Sequence, residues 1–185
     1  MKTGWLTAAL LAVALNAAHA HTDAYFDTLQ TPHGGQVRMA GPYHLELVVG
    51  QDEVALYVKT RNFHWNVEGP DFSELHKFFE EQYEQLDEIM DEVAERARAL
   101  DGYATGSLGE FAAAARLKEA KGGRIPAKEM LAQLLADHQT LIRNLRTEAA
   151  AVGDKHGDAG TEDFLVGLME EHEKMAWMLR AYLKQ

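Results

Sequence analysis

Apolar residues recur at helical spacing along four long segments after residue 42, separated by stretches that contain glycine or proline. The first segment runs from about Tyr43 to Val67, and the second runs from Phe72 to Leu100 after a candidate N-cap at Asp71 or Ser73. The apolar stripes of the last two lie at Met130, Leu131, Leu134, Leu135, Leu141, Ile142 and Leu145, and at Phe164, Leu165, Leu168, Met169, Leu179 and Leu183. We therefore predict four amphipathic helices, with the third beginning after Pro126 and a loop from Gly153 to Gly160.

The connection between the second and third helices is long and contains one short stretch of helix formers. Residues 107–115, with the sequence Ser-Leu-Gly-Glu-Phe-Ala-Ala-Ala-Ala, predict a short helix there. Four amphipathic helices joined by one long connection are typical of a ferritin-like bundle. The sequence thus predicts an all-α fold, a ferritin-like four-helix bundle over residues 42–185 with a short extra helix between helices 2 and 3.

The N-terminus has the features of a secretory signal peptide. Lys2 supplies a positive charge, Trp5 to Ala18 form a short apolar run, and Ala18-His19-Ala20 matches a small-x-small cleavage site. We predict a signal peptide over residues 1–20, no membrane span after its cleavage, and a periplasmic or secreted protein. The alternative is a cytoplasmic protein that keeps this segment as an extension. Residues 21–41 are polar, contain Pro32, Gly34, Gly35 and Gly41 and show no apolar periodicity, which predicts a flexible tail.

The charge balance and the cysteine count exclude several classes of function. The 185 residues include 29 Asp or Glu and 18 Lys or Arg, which gives a formal net charge of −11. Such a surface repels phosphate backbones and attracts cations. The chain has no cysteine, so disulfides, thiolate metal sites and thiol redox chemistry are excluded.

The second predicted helix carries two pairs of metal-binding side chains, His76 with Glu80 and Asp91 with Glu95. The i, i+4 spacing within each pair places both side chains on one helix face. The pairs lie about 22 Å apart at ~1.5 Å rise per residue, so one metal ion cannot contact both pairs of one chain. On a helical wheel this face points away from the apolar positions Phe78, Phe79, Leu86, Ile89, Met90 and Val93. We infer that the pairs meet across a two-fold axis between antiparallel copies of the helix.

Four sequence motifs, two of which contain these residues, allow a comparison with known families. They are Asn62-Phe-His64-Trp65-Asn-Val-Glu-Gly-Pro-Asp-Phe72 with Leu75-His76, then Asp91-Glu-Val-Ala-Glu95-Arg96, then Asp158-Ala-Gly-Thr161, and Glu171-His-Glu-Lys-Met-Ala-Trp177-Met-Leu-Arg180. From about Leu45 to Leu183 the chain resembles the Dps family, the mini-ferritins also called DNA-binding proteins from starved cells. One position departs mildly from the family pattern, because Glu80 stands where Asp is usual.

The resemblance implies an iron-binding ferroxidase and storage cage. In that family His64, His76 and Glu80 would come from one subunit, and Asp91 and Glu95 from its two-fold mate. Fe(II) would be oxidised there, with hydrogen peroxide preferred over dioxygen, and Fe(III) stored inside a shell of twelve identical subunits. Trp65 would lie beside the iron and supply electrons, or else serve only as a large apolar anchor; Tyr83 has a similar but weaker claim.

Two further groups of residues have both a structural and a functional interpretation. Asp158 and Asp163 are acidic residues at a helix N-terminus, where the helix dipole favours them, and in Dps cages this region lines the three-fold pores for iron. His138 and His172 lie within apolar stripes and are interpreted as core or interface histidines. No histidine has Asp or Glu three residues before it, so the Glu-x-x-His motif of intra-bundle di-iron sites is absent.

Three alternatives to ferroxidase activity remain at this point. Residues 68–95 contain eleven Asp or Glu and one Lys, so the ligand face could be only a solvated acidic surface. A DNA-binding, nucleoid-protecting Dps is disfavoured, because Arg38 is the only basic residue between His21 and Tyr43 and the C-terminus has no basic extension. A purely structural shell is disfavoured because all five ligand positions carry competent side chains.

Overall fold

The computed structural model describes residues 29–30, 36–37 and 43–184, with side chains described from residue 49 onwards. The predicted signal peptide and most of the predicted tail therefore lie outside the described residues. Two short strands, β1 (Leu29–Gln30) and β2 (Gln36–Val37), pair antiparallel with Leu29 opposite Val37. They belong to an N-terminal unit, Met1–Gly41, whereas the helices belong to a second unit, Pro42–Gln185.

The second unit is the predicted ferritin-like four-helix bundle with an extra helix, and this prediction is confirmed. Its described elements are α1 (Tyr43–Asn66), α2 (Phe72–Ala99), α3 (Leu108–Ala114), α4 (Ala127–His156) and α5 (Ala159–Leu183). The short helix α3 lies in the connection between α2 and α4, as predicted. Within the described residues, none of the helices combines the length and apolar character that a bilayer span requires.

The predicted loop from Gly153 to Gly160 is wrong, because only Gly157 and Asp158 interrupt the helices there. Gly157 adopts φ 61° and ψ 21°, the left-handed conformation in which glycine ends helices at no steric cost. Asp158 then caps α5 by accepting a hydrogen bond from the Thr161 amide. Gly153 continues α4, because a helix tolerates an interior glycine at a cost of about 1 kcal/mol.

The bundle core consists of apolar side chains from all four long helices. Phe63, Phe79, Leu134 and Leu165, for example, have no exposed surface. The Lys59 ammonium on α1 pairs with the Asp137 carboxylate on α4 at 2.5 Å, next to this core. Fully buried side chains of this size each stabilise the fold by about 1.5–3 kcal/mol through apolar burial.

A buried carboxylate holds the long connection against the bundle. Asp52 on α1 accepts hydrogen bonds from the main-chain amides of Arg116 and Leu117, at 2.6 and 3.1 Å, and from the Arg116 side chain at 2.6 Å. The Arg116 guanidinium also donates to Glu148 of α4 at 2.5 Å. This network ties the connection after α3 to α1 and α4, so α3 is held beside α1.

Candidate metal centre

The end of α1 and the start of α2 bring His64 and His76 into direct contact. Gly69 adopts φ 119° in the turn between these helices, a conformation that favours glycine. The two imidazole rings stack with centroids 3.7 Å apart and planes 23° apart. Nδ1 of His64 lies 2.8 Å from the carbonyl oxygen of His76, and Nδ1 of His76 lies 2.9 Å from that of His64. Two residues that are twelve positions apart therefore hold each other through their main chains.

These hydrogen bonds determine which nitrogen of each ring can bind a metal. A carbonyl oxygen only accepts, so each Nδ1 must carry the proton that it donates. In the neutral ring the proton on Nδ1 leaves Nε2 as a lone pair. Among the described residues neither Nε2 atom has a hydrogen-bond partner, so both are available to a cation. Fixing one ring nitrogen in this way also orients the other, as in known histidine metal sites.

Glu80 and Tyr83 extend this arrangement along α2. The Tyr83 hydroxyl donates to Oε1 of Glu80 at 3.3 Å, and the Tyr83 ring lies edge-on to His64 with centroids 5.2 Å apart. Burial, and then the neighbouring Glu80 carboxylate, raise the pKa of Tyr83, so the hydroxyl keeps its proton and remains a donor. Trp65 is 65% exposed and packs against the Arg61 guanidinium.

The apolar side of α2 is placed as the helical wheel predicts. Phe78, Phe79, Leu86, Ile89 and Val93 are buried, and Met90 at the edge of this side is half-buried. The opposite side of the wheel is correspondingly more accessible to solvent.

On the side of α2 that carries the candidate ligands, exposure to solvent differs from residue to residue. His76 and Glu80 are half-buried, whereas Asp91 and Glu95 are exposed. His64, at the end of α1, is only 7% exposed. The cause is the stacked His76 ring, which covers it.

The structure of one chain does not bring Asp91 and Glu95 to the histidines. Across residues 49–184, no group of three His, Asp or Glu side chains is placed to hold one metal ion. Asp91 instead borders a cleft of about 630 Å³ between α1, α2 and α3, which is lined mainly by apolar side chains such as Val54, Val58 and Leu108. Val58 is 48% exposed and Leu108 is 80% exposed. Asp91 thus lies beside an apolar surface that the subunit leaves uncovered.

Comparison with known proteins decides the family. Residues 50–185 match the family model described as a ferritin-like domain. A protein of Nostoc sp. described as low temperature-induced is 50% identical over 133 residues, which are 72% of this chain and 74% of that protein. The DNA protection during starvation protein of Brevibacillus brevis is 40% identical over 131 residues, 71% of this chain and 87% of that protein. The crystal structure of Dps from Vibrio cholerae O1 has a TM-score of 0.73 and 31% identity, covering 77% of this chain and 88% of that one.

The chain belongs to the Dps family. The resemblance inferred from the motifs around His64 and His76 is confirmed, and so is the ferritin-like fold. The Vibrio cholerae protein is described as a member of a broad superfamily of ferritin-like diiron-carboxylate proteins. Membership of this superfamily supports iron binding, iron storage and ferroxidase chemistry in general terms for the Dps chain described here.

The two candidate pore residues of this Dps chain have different surroundings. Asp158 accepts hydrogen bonds from the Thr161 hydroxyl at 2.6 Å and the Thr161 amide at 3.1 Å, and lies 3.7 Å from the Arg96 guanidinium. The side-chain and then the main-chain hydrogen bond from Thr161 lower the pKa of Asp158. Asp163 is exposed one turn further along α5. Asp158 is therefore a helix cap first, whereas Asp163 is open to solvent.

Sequence reasoning missed one polar cluster inside the bundle. His138 on α4 and His172 on α5 are fully buried, with their Nδ1 atoms 2.8 Å apart, and His172 Nε2 lies 2.9 Å from Oε1 of the fully buried Glu53 on α1. Burial, and then the neighbouring His172, hold the pKa of His138 well below its ordinary value. The histidines are core residues as predicted, but no signal in the sequence pairs them with Glu53, 119 positions before His172.

Proposed function

We propose that this Dps protein oxidises Fe(II) and stores the ferric product inside a shell of identical subunits. The observation that carries the proposal is the His64–His76 pair, because its two Nε2 lone pairs are available, and Glu80 follows His76 by one turn of α2. Mixed imidazole and carboxylate ligands suit iron among the first-row metals, with zinc and manganese as competitors for the same atoms. The net charge of −11 favours the approach of the cation.

The complete site is shared between two subunits. His64, His76 and Glu80 of one chain would face Asp91 and Glu95 of a two-fold mate, since the two sets lie too far apart to meet in one chain. The apolar cleft beside Asp91 supports this arrangement, because a contact between copies would cover its exposed Val58 and Leu108. The Dps family pattern further implies a dodecamer with iron pores, at which Asp163 and Asp158 would guide Fe(II).

The proposed chemistry at the shared site is a balanced transfer of electrons. Each Fe(II) ion gives up one electron, and hydrogen peroxide, the preferred oxidant over dioxygen, takes up a pair of electrons and two protons as its O–O bond breaks to leave water. The protein has to bind Fe(II) in a geometry that leaves positions open for the oxidant, and a small number of ligands does so. Trp65, which follows His64 in the chain and is 65% exposed, would be an additional source of electrons.

An anaerobic titration of the purified assembly with Fe(II) tests this proposal. Peroxide is then added while the near-ultraviolet absorbance of Fe(III) is recorded. We expect saturable Fe(II) binding, rapid oxidation after peroxide, and slower oxidation with dioxygen. Oxidation no faster than in buffer without protein would refute the proposed function.

The alternative function, DNA binding, is tested by a gel shift at low and at physiological salt. A chain with 29 acidic and 18 basic residues repels the phosphate backbone, so we expect no retardation of DNA in either condition. Robust retardation at physiological salt would contradict this expectation.

We also propose that the protein is exported. Cleavage after Ala20 would leave His21 as the N-terminus, and mass spectrometry of the protein from its own source measures that terminus directly. A native protein that begins at Met1 or Lys2 would contradict this proposal.

A further inference from the structure

Arg61, an arginine surrounded by three aromatic rings, lies beside the proposed metal site. The Arg61 guanidinium carbon lies 4.7 Å from the ring centroid of Tyr83, and 5.6 Å from the centroids of both Tyr57 and Trp65. Tyr57, Arg61 and Trp65 follow one another at four-residue spacing on α1, whereas Tyr83 comes from α2. Arg61 also donates a hydrogen bond to the Tyr57 hydroxyl. Within the described residues no carboxylate lies at ion-pair distance from it, so aromatic faces are its main partners.

Tyr83 connects this aromatic cluster around Arg61 to the proposed metal ligands. One face of the Tyr83 ring meets Arg61, its ring contacts Tyr57 edge-on at 6.1 Å, and its hydroxyl donates to Glu80. The same ring meets His64 edge-on. A planar guanidinium between aromatic faces is held by both cation–π attraction and stacking, which fixes the rings as well as the cation.

We propose that Arg61 is a positioning residue of the metal site. Its guanidinium fixes the Tyr83 ring, and the Tyr83 hydroxyl then holds the Glu80 carboxylate in place before the cation arrives. This inference rests on the proposed metal site. It extends that site by a residue that binds no metal and acts through Tyr83.

Charge alone would have the opposite effect on binding. A cation beside a carboxylate and two imidazoles repels Fe(II), so removing the charge of Arg61 would strengthen metal binding if electrostatics dominated. Lysine keeps the charge but lacks the planar guanidinium that stacks between rings. The Arg61→Lys and Arg61→Gln variants therefore separate positioning from charge.

The experiment measures binding of Zn²⁺, which has no redox chemistry, to the assembled protein by calorimetry. If Arg61 positions Tyr83, both Arg61→Lys and Arg61→Gln weaken binding, by about ten-fold, the lower end of what loss of an orienting partner costs. Tyr83→Phe keeps the ring but lacks the hydroxyl, and it should weaken binding similarly. The double variant Arg61→Lys/Tyr83→Phe should lose no more than either single variant, because both act through one hydrogen bond.

Control variants separate failure of this inference from failure of the proposed site. Arg143→Lys and Arg143→Gln change an exposed arginine on α4, which donates to Thr140 and stacks on no ring in the described part of the chain, and they should leave Zn²⁺ affinity unchanged. His64→Ala/His76→Ala should abolish binding, and binding that survives there would refute the metal site itself. If binding is lost there but unchanged in Arg61→Lys and Tyr83→Phe, only the role of Arg61 is refuted. Tighter binding in Arg61→Gln would likewise overturn it in favour of charge.

Discussion

Two pairs of histidines in one subunit show how the partner of Nδ1 determines what an imidazole can do. In the outer pair, His64 and His76, each Nδ1 donates to a main-chain carbonyl, and each Nε2 remains available. In the inner pair, His138 and His172, the Nδ1 atoms face each other at 2.8 Å, so one must donate and the other accept. The outer pair is thereby prepared for a cation. In the inner pair, both Nδ1 atoms and Nε2 of His172 are occupied by hydrogen bonds within the protein.

The inner pair is also unsuited to binding a metal ion, because both nitrogens of His172 already have hydrogen-bond partners. His172 turns Nδ1 to His138 and Nε2 to Glu53, so its two nitrogens point in opposite directions. If His172 donates to the Glu53 carboxylate, it accepts from His138, and Nε2 of His138 is left buried without a partner among the described residues. Such a chain connects α1, α4 and α5 through polar contacts within an apolar core.

The largest expected effect comes from breaking the outer pair. His64→Ala/His76→Ala removes two direct ligands, so we expect Fe(II) oxidation to fall by more than about a hundred-fold, beyond what loss of an orienting partner costs. Helix content should persist, because alanine favours helices. Initial rates of Fe(III) formation measure the effect, with circular dichroism and gel filtration as checks. A double variant that oxidises Fe(II) at the original rate would show that the pair is not the site.

Removing the hydrogen bond between Glu53 and His172 of the inner pair should lower the free energy of unfolding and leave the Fe(II) oxidation rate unchanged. Glu53→Ala leaves the His172 Nε2–H without an acceptor in a fully buried place, which we expect to cost about 3 kcal/mol. Glu53→Gln keeps an acceptor oxygen and should cost about 1 kcal/mol. Urea denaturation at one protein concentration compares the two variants. Equal stability would mean that the carboxylate does not hold His172.

The inner pair should also make stability depend on pH. Because the pKa of His138 lies well below its ordinary value of about 6.5, the unfolded chain binds a proton that the folded chain excludes. The contribution of neutral His138 to the free energy of unfolding is complete above about pH 6.5. It is lost as the pH falls below that value, at up to about 1.4 kcal/mol per pH unit.

The matched variant is His138→Asn, which keeps a donor near the position of Nδ1 but does not titrate. Unfolding free energies between pH 7 and 5 should fall less steeply in this variant than in the original protein. The same slope in both proteins would assign the acid sensitivity to other groups.

The helices could be predicted from the sequence because their apolar spacing is local information. Predicted and observed bounds of α1 and α2 differ by one residue at one end of each. The loop at Gly153 could not be predicted correctly, because glycine does not by itself stop a helix and only the left-handed conformation of Gly157 does so.

The candidate site could be predicted only in part. His64, His76 and Glu80 follow from motif and spacing, and the structure does place His64 and His76 together. Their orientation depends on main-chain carbonyl oxygens, which every residue has and which therefore leave no pattern in the sequence. The contact between Glu53 and His172 depends on the packing of α1 against α5. The positioning role proposed for Arg61 depends on its contact with Tyr83, which comes from another helix. Contacts of this kind become visible only once the helices are assembled.

The central claim, a site shared between two subunits, is tested most directly by mixing two inactive proteins. One carries His64→Ala/His76→Ala and the other carries Asp91→Ala/Glu95→Ala, and they are co-assembled in equal amounts from denatured mixtures. About half of the two-fold interfaces would then be mixed, and each mixed interface would hold one intact and one doubly broken site. We predict that about a quarter of the original Fe(II) oxidation rate returns. A rate near zero in assemblies verified to contain both chains would contradict the shared site.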